Sequence, residues 1–201
     1  MHKASSDIQL WDVATHERSV PPGVNTPGWE WHPTMSGDWI LYGKTHFFPR
    51  RSRVLLTNIR TEQTITLADV KGNADPGQVN GNWAVWHRCV DRLCSVYRYD
   101  IATGERIQAP PTHVGRQQRY ASVTSTGTVY FMHSGSACGR NAKLVEWVPG
   151  QPLQVLIAFL PGVQVTSTTQ AALDPVTGTD VYFDKHTCGQ QVYDIFKVVV
   201  P

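Results

Sequence analysis

Histidines are the residues of this 201-residue chain that first suggest chemistry, because imidazole nitrogens bind metal ions. His87 and His133 end two similar apolar segments, WAVWH and VYFMH, so the sequence places them at equivalent positions. His46 and His186 lie near corresponding segments. No H-x-H, H-E-x-x-H or C-x-x-C spacing occurs in the chain. We therefore predict no metal site and interpret the histidines as polar residues at strand ends.

Four cysteines suggest disulfide chemistry. Cys89 and Cys94 flank a short connection between two predicted strands, and opposed hairpin positions bring Cβ atoms to about 4.5–5.5 Å. Cys138 and Cys188 occupy the matching connection of the next two units, whose loops lie side by side if the units are neighbours. We predict the pairs Cys89–Cys94 and Cys138–Cys188. Four free thiols and a four-cysteine zinc site are the alternatives.

Acid–base hydrolysis of glycosides needs two carboxylates roughly 5–10 Å apart. Glu30 is the acid that the predicted inner strands offer. Asp12, Asp100 and Asp174 are better explained as turn formers, since Asp side chains accept hydrogen bonds from nearby backbone N–H groups. The G-x-S-x-G pattern of serine hydrolases is absent. We predict no catalytic residue, no cofactor and no enzymatic activity.

The segment KTHFFPRRSR (44–53) is a candidate protein-binding loop, since it joins two predicted strands yet carries aromatic and arginine side chains. Aromatic residues and arginine are enriched in binding hot spots. Alternatively, the phenylalanines pack beneath the loop and the arginines are merely solvated. The candidate partner-binding residues are Phe47, Phe48, Arg50, Arg51 and Arg53.

A second candidate site is a ligand mouth formed by large side chains of the predicted inner strands. Aromatic rings there could stack on a sugar, which makes carbohydrate binding the alternative function. They could instead fill the space between neighbouring units. The candidate mouth residues are Trp29, Trp31, Arg119 and Tyr120.

These candidates are positioned by a pattern that returns with a period in the forties, which is typical of repeat folds. WDVATHER (11–18) returns as TNIRTEQT (57–64) and YDIATGER (99–106). SGDWILYGK (36–44) returns as NGNWAVWHR, STGTVYFMHS and GTDVYFDKH. Each unit predicts an inner strand, a polar turn, an apolar second strand, an alternating third strand and an outer strand.

Turns and connectors punctuate each unit. The third strands end in Asp12, Asn58 or Asp100, whose side chains favour a tight turn. Proline-containing connectors, among them ADPG (74–77), are expected to cross from one unit to the next.

Third strands centred near residues 10, 55, 98, 145 and 196 predict an all-β propeller. We expect about five blade equivalents of mostly four antiparallel strands, with a β-sandwich as the alternative. Residues 1–6 are predicted to be a disordered tail or a vector-derived remnant, and 7–201 a single propeller domain. How the ring closes stays open, because there are more third strands than second strands; ERSV (17–20) closing the last blade is one option.

The pairs SGDWILYGK…RVLLTNIRTEQ and NGNWAVWHRC…SVYRYDIATGER resemble the repeats of TolB-like propellers, a WD-repeat-like family. The resemblance extends over about residues 7–199. It implies a propeller that is usually exported and often serves as a protein-interaction surface or accessory domain, without implying a reaction. The cysteine-bearing loops depart from the family pattern. The matching residues are structural: Gly81, Trp86, Tyr97, Tyr99, Asp100, Thr103 and Gly104.

Composition limits the classes of partner that the protein is expected to bind. A net charge of +2 with 17% charged residues is unlike a nucleic-acid-binding domain, and no apolar run reaches the roughly 18–20 residues of a transmembrane segment. The cysteine pattern favours secretion or the cell envelope, and we predict no signal peptide within the given sequence. We predict a non-catalytic exported propeller that binds a protein partner through its loop face. The oligomeric state is not predicted.

Overall fold

The computed structural model is built of strands and turns, with no helix in the part that it describes. None of these residues forms a helix long and apolar enough to cross a membrane. The all-β prediction is therefore confirmed. The described residues are 7–47, 50–91, 93–111, 117–134, 142–159, 163–164, 168–174, 178–187 and 194–200.

The strands form an N-terminal hairpin followed by four sheets. The hairpin comprises β1 (Leu10–Trp11) and β2 (Arg18–Ser19). The first sheet comprises β3 (Trp29–Ser36), β4 (Trp39–Phe47), β5 (Arg50–Asn58) and β6 (Thr64–Val70). The second comprises β7 (Asn73–Asn80), β8 (Trp83–Val90), β9 (Leu93–Asp100) and β10 (Arg106–Gln108). The third comprises β11 (Gln117–Val123), β12 (Val129–Ser134), β13 (Lys143–Trp147) and β14 (Gln154–Ala158). The fourth comprises β15 (Val163–Gln164), β16 (Thr168–Asp174), β17 (Gly178–Thr187) and β18 (Asp194–Val200).

Each of the first three sheets is an antiparallel meander, in which strands adjacent in sequence are adjacent in space. In the fourth, β17 pairs with β16, β15 and β18. Successive meanders of this kind are the blades of a β-propeller, so the predicted fold class is confirmed. In the described region β2 pairs with β1, which gives ERSV (17–20) a partner inside its own hairpin.

The hydrophobic core is divided among the interfaces between successive sheets. Second strands are buried on both faces, and side chains alternate along a strand. Leu41 of β4 therefore packs toward the second sheet, while Ile40 and Tyr42 pack with Ile8 and Val24 of the N-terminal segment. In β8, Trp86 packs toward the first sheet and Val85 toward the third. This double burial explains why the centres of β4 and β8 are strongly apolar in sequence.

The predicted turn-forming role of Asp12, Asn58 and Asp100 is confirmed. Asp12 Oδ1 accepts hydrogen bonds from the backbone N–H groups two and three residues later, at 2.8 and 3.0 Å. Asn58 makes the same pair at 3.0 Å each, and Asp100 at 2.9 and 3.3 Å. The same turn thus closes the third and outer strands of three units.

The prediction that ADPG (74–77) connects two units is wrong. Ala74, Asp75 and Pro76 belong to β7, opposite Arg88, His87 and Trp86. Proline is tolerated there because β7 is an edge strand whose register shifts between Pro76 and Val79. The inner strand therefore begins several residues earlier than the sequence indicated.

The predicted equivalence of His87 and His133 is also wrong. His87 lies opposite Asp75, whereas His133 lies opposite Gln118 and so corresponds to Arg88, opposite Ala74. The turn before β12 holds one residue more than the turn before β8. In the third sheet Val123 pairs with Val129 across the turn, whereas in the second sheet Val79 pairs with Ala84. The extra residue shifts the later strand by one position.

Inner strands approach one another closely where each carries a β-bulge. A Cβ on Gly77 would overlap the Ala121 carbonyl oxygen of the next inner strand and lie 2.8 Å from the Val85 carbonyl oxygen. Side chains fasten the same strands, since Thr34 Oγ1 accepts a bond of 3.0 Å from Val79 N. One unit later, Gln78 Oε1 accepts the corresponding bond of 3.0 Å from Val123 N.

Replacing Gly77 by alanine tests this close approach. We expect Gly77→Ala to lower the free energy of unfolding by about 3 kcal/mol, because two backbone oxygens must move to admit the methyl group. Gly37→Ala is the matched control: its Cβ meets no atom within 4 Å, so the cost is only that of a positive φ, about 1 kcal/mol. Urea denaturation measures both, and equal losses would contradict close packing at Gly77.

Candidate functional site

One end of the sheets carries the candidate binding residues, and we call it the cleft face. It contains the starts of inner strands β3 and β7 and the connections β4–β5 and β8–β9. The uniform Asx turns lie at the opposite end. Because the sheets are antiparallel meanders, the β4–β5 hairpin and the β8–β9 hairpin that carries Cys89 and Cys94 share this end.

A cleft of about 560 Å³ opens on this face between the first and second sheets. A volume of this size accommodates a small ligand or a few residues of a peptide. Its walls combine an indole, cationic groups and polar side chains. The lining residues are Trp31, His32, Thr45, Arg51, Ser52, Lys71, Gly72, Asn73 and Asp75.

Trp31 forms an apolar wall of the cleft. Its Nε1 donates a hydrogen bond of 3.2 Å to Thr45 Oγ1, and its indole covers Gly43, where a Cβ would overlap the ring. His32 meets the indole edge-on, with ring centroids 5.1 Å apart. His32 is an exposed residue with a φ of 47°, a left-handed conformation that non-glycine residues seldom adopt. The bulge of β3 therefore displays an imidazole at the cleft.

Asp75 is the only acid among the residues that line the cleft, and its carboxylate is engaged. His87 Nε2 lies 2.9 Å from Asp75 Oδ2, and Asn73 Nδ2 donates a bond of 2.5 Å to the same oxygen. Burial alone would raise the pKa of Asp75, but the hydrogen bond and charge of His87, aided by Asn73 and His32, hold this pKa below its ordinary value of 3.8. Asp75 is therefore ionised at neutral pH.

One of the four predicted mouth residues, Trp31, lines the cleft. Trp29 is 48% exposed at the start of the same strand. Tyr120 packs edge-on against buried His87 at 5.7 Å, and Arg119 Nε donates to Cys94 Sγ at 3.1 Å. His32 thus contacts Trp31, and His87 contacts both Asp75 and Tyr120.

Sequence analysis missed Asp75, although it occupies the same inner-strand position as two predicted residues. Trp31 lies opposite Gly43, Asp75 opposite His87, and Arg119 opposite Met132, one unit apart each time. The assignment of ADPG to a connector hid this correspondence. The repeat period itself was a signal that could have found Asp75.

The prediction of a loop at 44–53 is wrong for its arginines, because they belong to β5, and two of them are partly fixed in place. Arg51 Nε lies 2.5 Å from Asp69 Oδ1 and Arg53 Nε lies 3.1 Å from Asp69 Oδ2, so one carboxylate on β6 holds both. Arg51 also lines the cleft. The side chains of Phe47, Phe48 and Arg50 lie outside the described residues. Partner binding by this loop stays a prediction.

The Cys89–Cys94 disulfide is confirmed. The two residues are direct cross-strand partners, as expected for opposed positions on a hairpin. Beyond them the hairpin tip exposes Val90 at 47% and Leu93 at 54%. The predicted Cys138–Cys188 bridge lies outside the described residues.

Glu30 has a structural role. Lys44 Nζ donates to Glu30 Oε1 at 2.6 Å, and both side chains are almost completely buried. Lys44 also contacts Thr26 Oγ1, which fastens the segment before β3 to β4. The carboxylate is therefore neutralised inside the protein rather than directed into the cleft. Within the described part of the chain, no group of three His, Cys, Asp or Glu side chains is arranged to hold a metal ion.

Solved structures with the same architecture support the fold assignment. The chain is similar to TolB from Acinetobacter baumannii, with 14% sequence identity, a TM-score of 0.59 and coverage of 96% of this chain and 48% of that one. It is similar to putative TolB from Agrobacterium tumefaciens, with 11% identity, a TM-score of 0.54 and coverage of 95% and 83%. The resemblance to TolB-like propellers is thus confirmed at the level of the fold.

An enzyme shares the architecture as well. The chain is similar to an oligogalacturonate lyase in complex with manganese, with 8% identity, a TM-score of 0.58 and coverage of 94% of this chain and 58% of that one. The chain spans about half the length of the Acinetobacter TolB chain. No protein-family model matches the chain, and no curated protein matches it in sequence. The shared fold alone does not distinguish a binding protein from an enzyme.

Replacing Asp75 by asparagine tests its pairing with His87. We expect Asp75→Asn to lower the free energy of unfolding by about 1–2 kcal/mol at pH 6. The pKa of Asp75 in the folded protein lies below its ordinary value of 3.8. The stabilisation by ionised Asp75 is therefore fully present above pH 3.8 and is lost as the pH falls through the folded-state pKa. Urea denaturation at pH 6 and at pH 3 measures the change.

The difference between wild type and Asp75→Asn should therefore shrink at pH 3. Asp91→Asn is the matched control, because Asp91 is exposed and has no hydrogen bond or ion pair among the described residues. A loss in Asp75→Asn that is equally large at both pH values would contradict a charge-dependent role for Asp75.

Proposed function

We propose that this propeller is a non-catalytic binding module that recognises a protein partner through its cleft face. The observation that carries the proposal is the open cleft of about 560 Å³ beside two hairpin tips. A cleft lined by an indole and charged groups can anchor one or two side chains, while the surrounding rim supplies the rest of the contact area.

Exposed apolar side chains on the same face favour a macromolecular partner. Val90, Leu93 and Trp29 are each about half exposed, and the first two lie on a hairpin stapled by the Cys89–Cys94 disulfide. A rigid hairpin loses little conformational entropy on binding, so its exposed side chains contribute more affinity than those of a flexible loop. The sequence of the adjacent segment 44–53 contains two phenylalanines and three arginines, which we predict to contribute to binding.

The absence of catalysis is part of the proposal, and the chemistry of the described acids supports it. Glu30 is neutralised by Lys44, and Asp75 is held by His87 and Asn73. Both carboxylates are thus already engaged by neighbouring side chains.

We further infer that the protein works outside the cytoplasm. The Cys89–Cys94 bridge persists most readily in an oxidising compartment, and it stabilises the hairpin that borders the cleft. The similarity in fold to TolB supports a location outside the cytoplasm by analogy.

Carbohydrate binding is the second candidate, because Trp29 presents an exposed indole on the same strand as Trp31, which lines the cleft. A sugar stacked on these rings would make Trp29→Ala more damaging than any change in segment 44–53. Protein binding predicts the opposite order.

Capture from the secreted and cell-envelope fraction of the source tests the proposal. The oxidised chain is immobilised, and bound proteins and glycans are identified by mass spectrometry. We expect a specific protein that is lost when Phe47, Phe48 and Arg50 are all replaced by alanine, because these side chains are predicted hot-spot residues. The triple variant should keep its thermal unfolding midpoint within a few degrees of the wild type.

The control is Arg60→Ala, which changes an exposed arginine at the opposite end of the first sheet. This variant should capture the partner as the wild type does. Unfolding of the triple variant would show that the loop residues belong to the core. Capture of glycans alone, or of nothing, would contradict protein binding.

A further inference from the structure

We propose that the cleft binds a carboxylate carried by an extended, acidic segment of the protein partner. The inference rests on the proposed function and specifies the chemistry of the segment that enters the cleft. Three observations support it. They are the balance of charge around Trp31, the partners that the charged groups of the cleft already have, and the apolar side chains near Gly72.

Cationic side chains outnumber carboxylates around the cleft. Arg51 and Lys71 line the cleft, and Asp75 is the one carboxylate among the lining residues. Lys71 lines the cleft, is exposed, and makes no hydrogen bond or ion pair among the described residues. An incoming carboxylate therefore meets an ammonium group that does not first have to break an ion pair.

Asp75 offsets part of this positive charge, but its carboxylate does not pair with Lys71. Its carboxylate already accepts from Asn73 and faces His87 Nε2 at 2.9 Å. His32 also lines the cleft and offers a further nitrogen donor from the opposite inner strand. The group lacking a partner in the cleft is thus a cation, and the complementary ligand is an anion.

Apolar contacts specify a peptide rather than a free anion. Trp31 covers one wall, and at the other Gly72 approaches the Cys89 carbonyl so closely that a Cβ would lie 2.5 Å from its oxygen. That contact sets the cleft against the stapled hairpin, whose tip exposes Val90 and Leu93. A segment with a carboxylate beside an apolar side chain would reach both features.

Selection from a phage-displayed library of random heptapeptides on the immobilised, oxidised chain tests the proposal. We expect the recovered sequences to be enriched in Asp or Glu next to an apolar residue. A synthetic peptide of the recovered sequence should bind about fivefold to tenfold more weakly when its acid is changed to the amide. Its affinity should also fall as salt is raised.

The variant Lys71→Glu should weaken the same peptide by about fivefold to tenfold, because it reverses the unpaired charge. Lys71 is exposed, so the change should not disturb folding. Arg18→Glu is the matched control: it makes the same reversal at an exposed site on the N-terminal hairpin and should leave affinity unchanged.

Peptides without acidic enrichment, or acidic peptides that bind Lys71→Glu as tightly as wild type, would overturn the proposal. The recovery of no peptide would also overturn the proposal. So would a competition experiment in which an oligouronate, but not the peptide, displaces the captured partner. Each of these results leaves the capture of a protein partner intact if capture succeeds, so failure of this inference is distinguishable from failure of the proposed function.

Discussion

The structure depends on the close approach of its inner strands. At Gly77 two backbones come together with no room for a side chain, and the carbonyls of Ala121 and Val85 fill the space that a Cβ would need. Thr34 and Gln78 then fasten each inner strand to the next by accepting backbone N–H bonds. Because polar groups buried there must be paired, these bonds fix how each sheet is placed against its neighbour. The core between sheets and the cleft both follow from that placement.

The two ends of the sheets differ in how uniform their residues are from one unit to the next. At one end the same Asx turn recurs after the third strand in three units, with its hydrogen bonds satisfied locally. At the cleft face one inner-strand position holds Trp31, Asp75 or Arg119, and each makes different contacts. Repetition thus serves the fold at one end, and variation provides specific chemistry at the other. A binding site is expected where the repeat is least uniform.

The repeat period was sufficient for the fold class. Local signals were sufficient for the turns at Asp12, Asn58 and Asp100 and for the Cys89–Cys94 bridge, because each of these depends on residues within a few positions of one another. The cleft could not be predicted in the same way, because it joins residues from two sheets. Proline suggested a connector at 74–77, whereas the bulge allows Pro76 inside β7. One additional residue in the turn before β12 displaced His133. Asp69 lies on a different strand from Arg51 and Arg53, yet its carboxylate holds both.

The central claim is that the cleft face, rather than the end with the repeated turns, contacts the partner. Amide hydrogen exchange of the chain, alone and bound to its captured partner, tests this claim most directly. We expect slower exchange in the bound state for the peptides that contain His32, Lys71–Asn73 and Val90, because backbone amides beneath an interface lose contact with solvent. Slower exchange confined to the turns after Asp12, Asn58 and Asp100 would contradict the account.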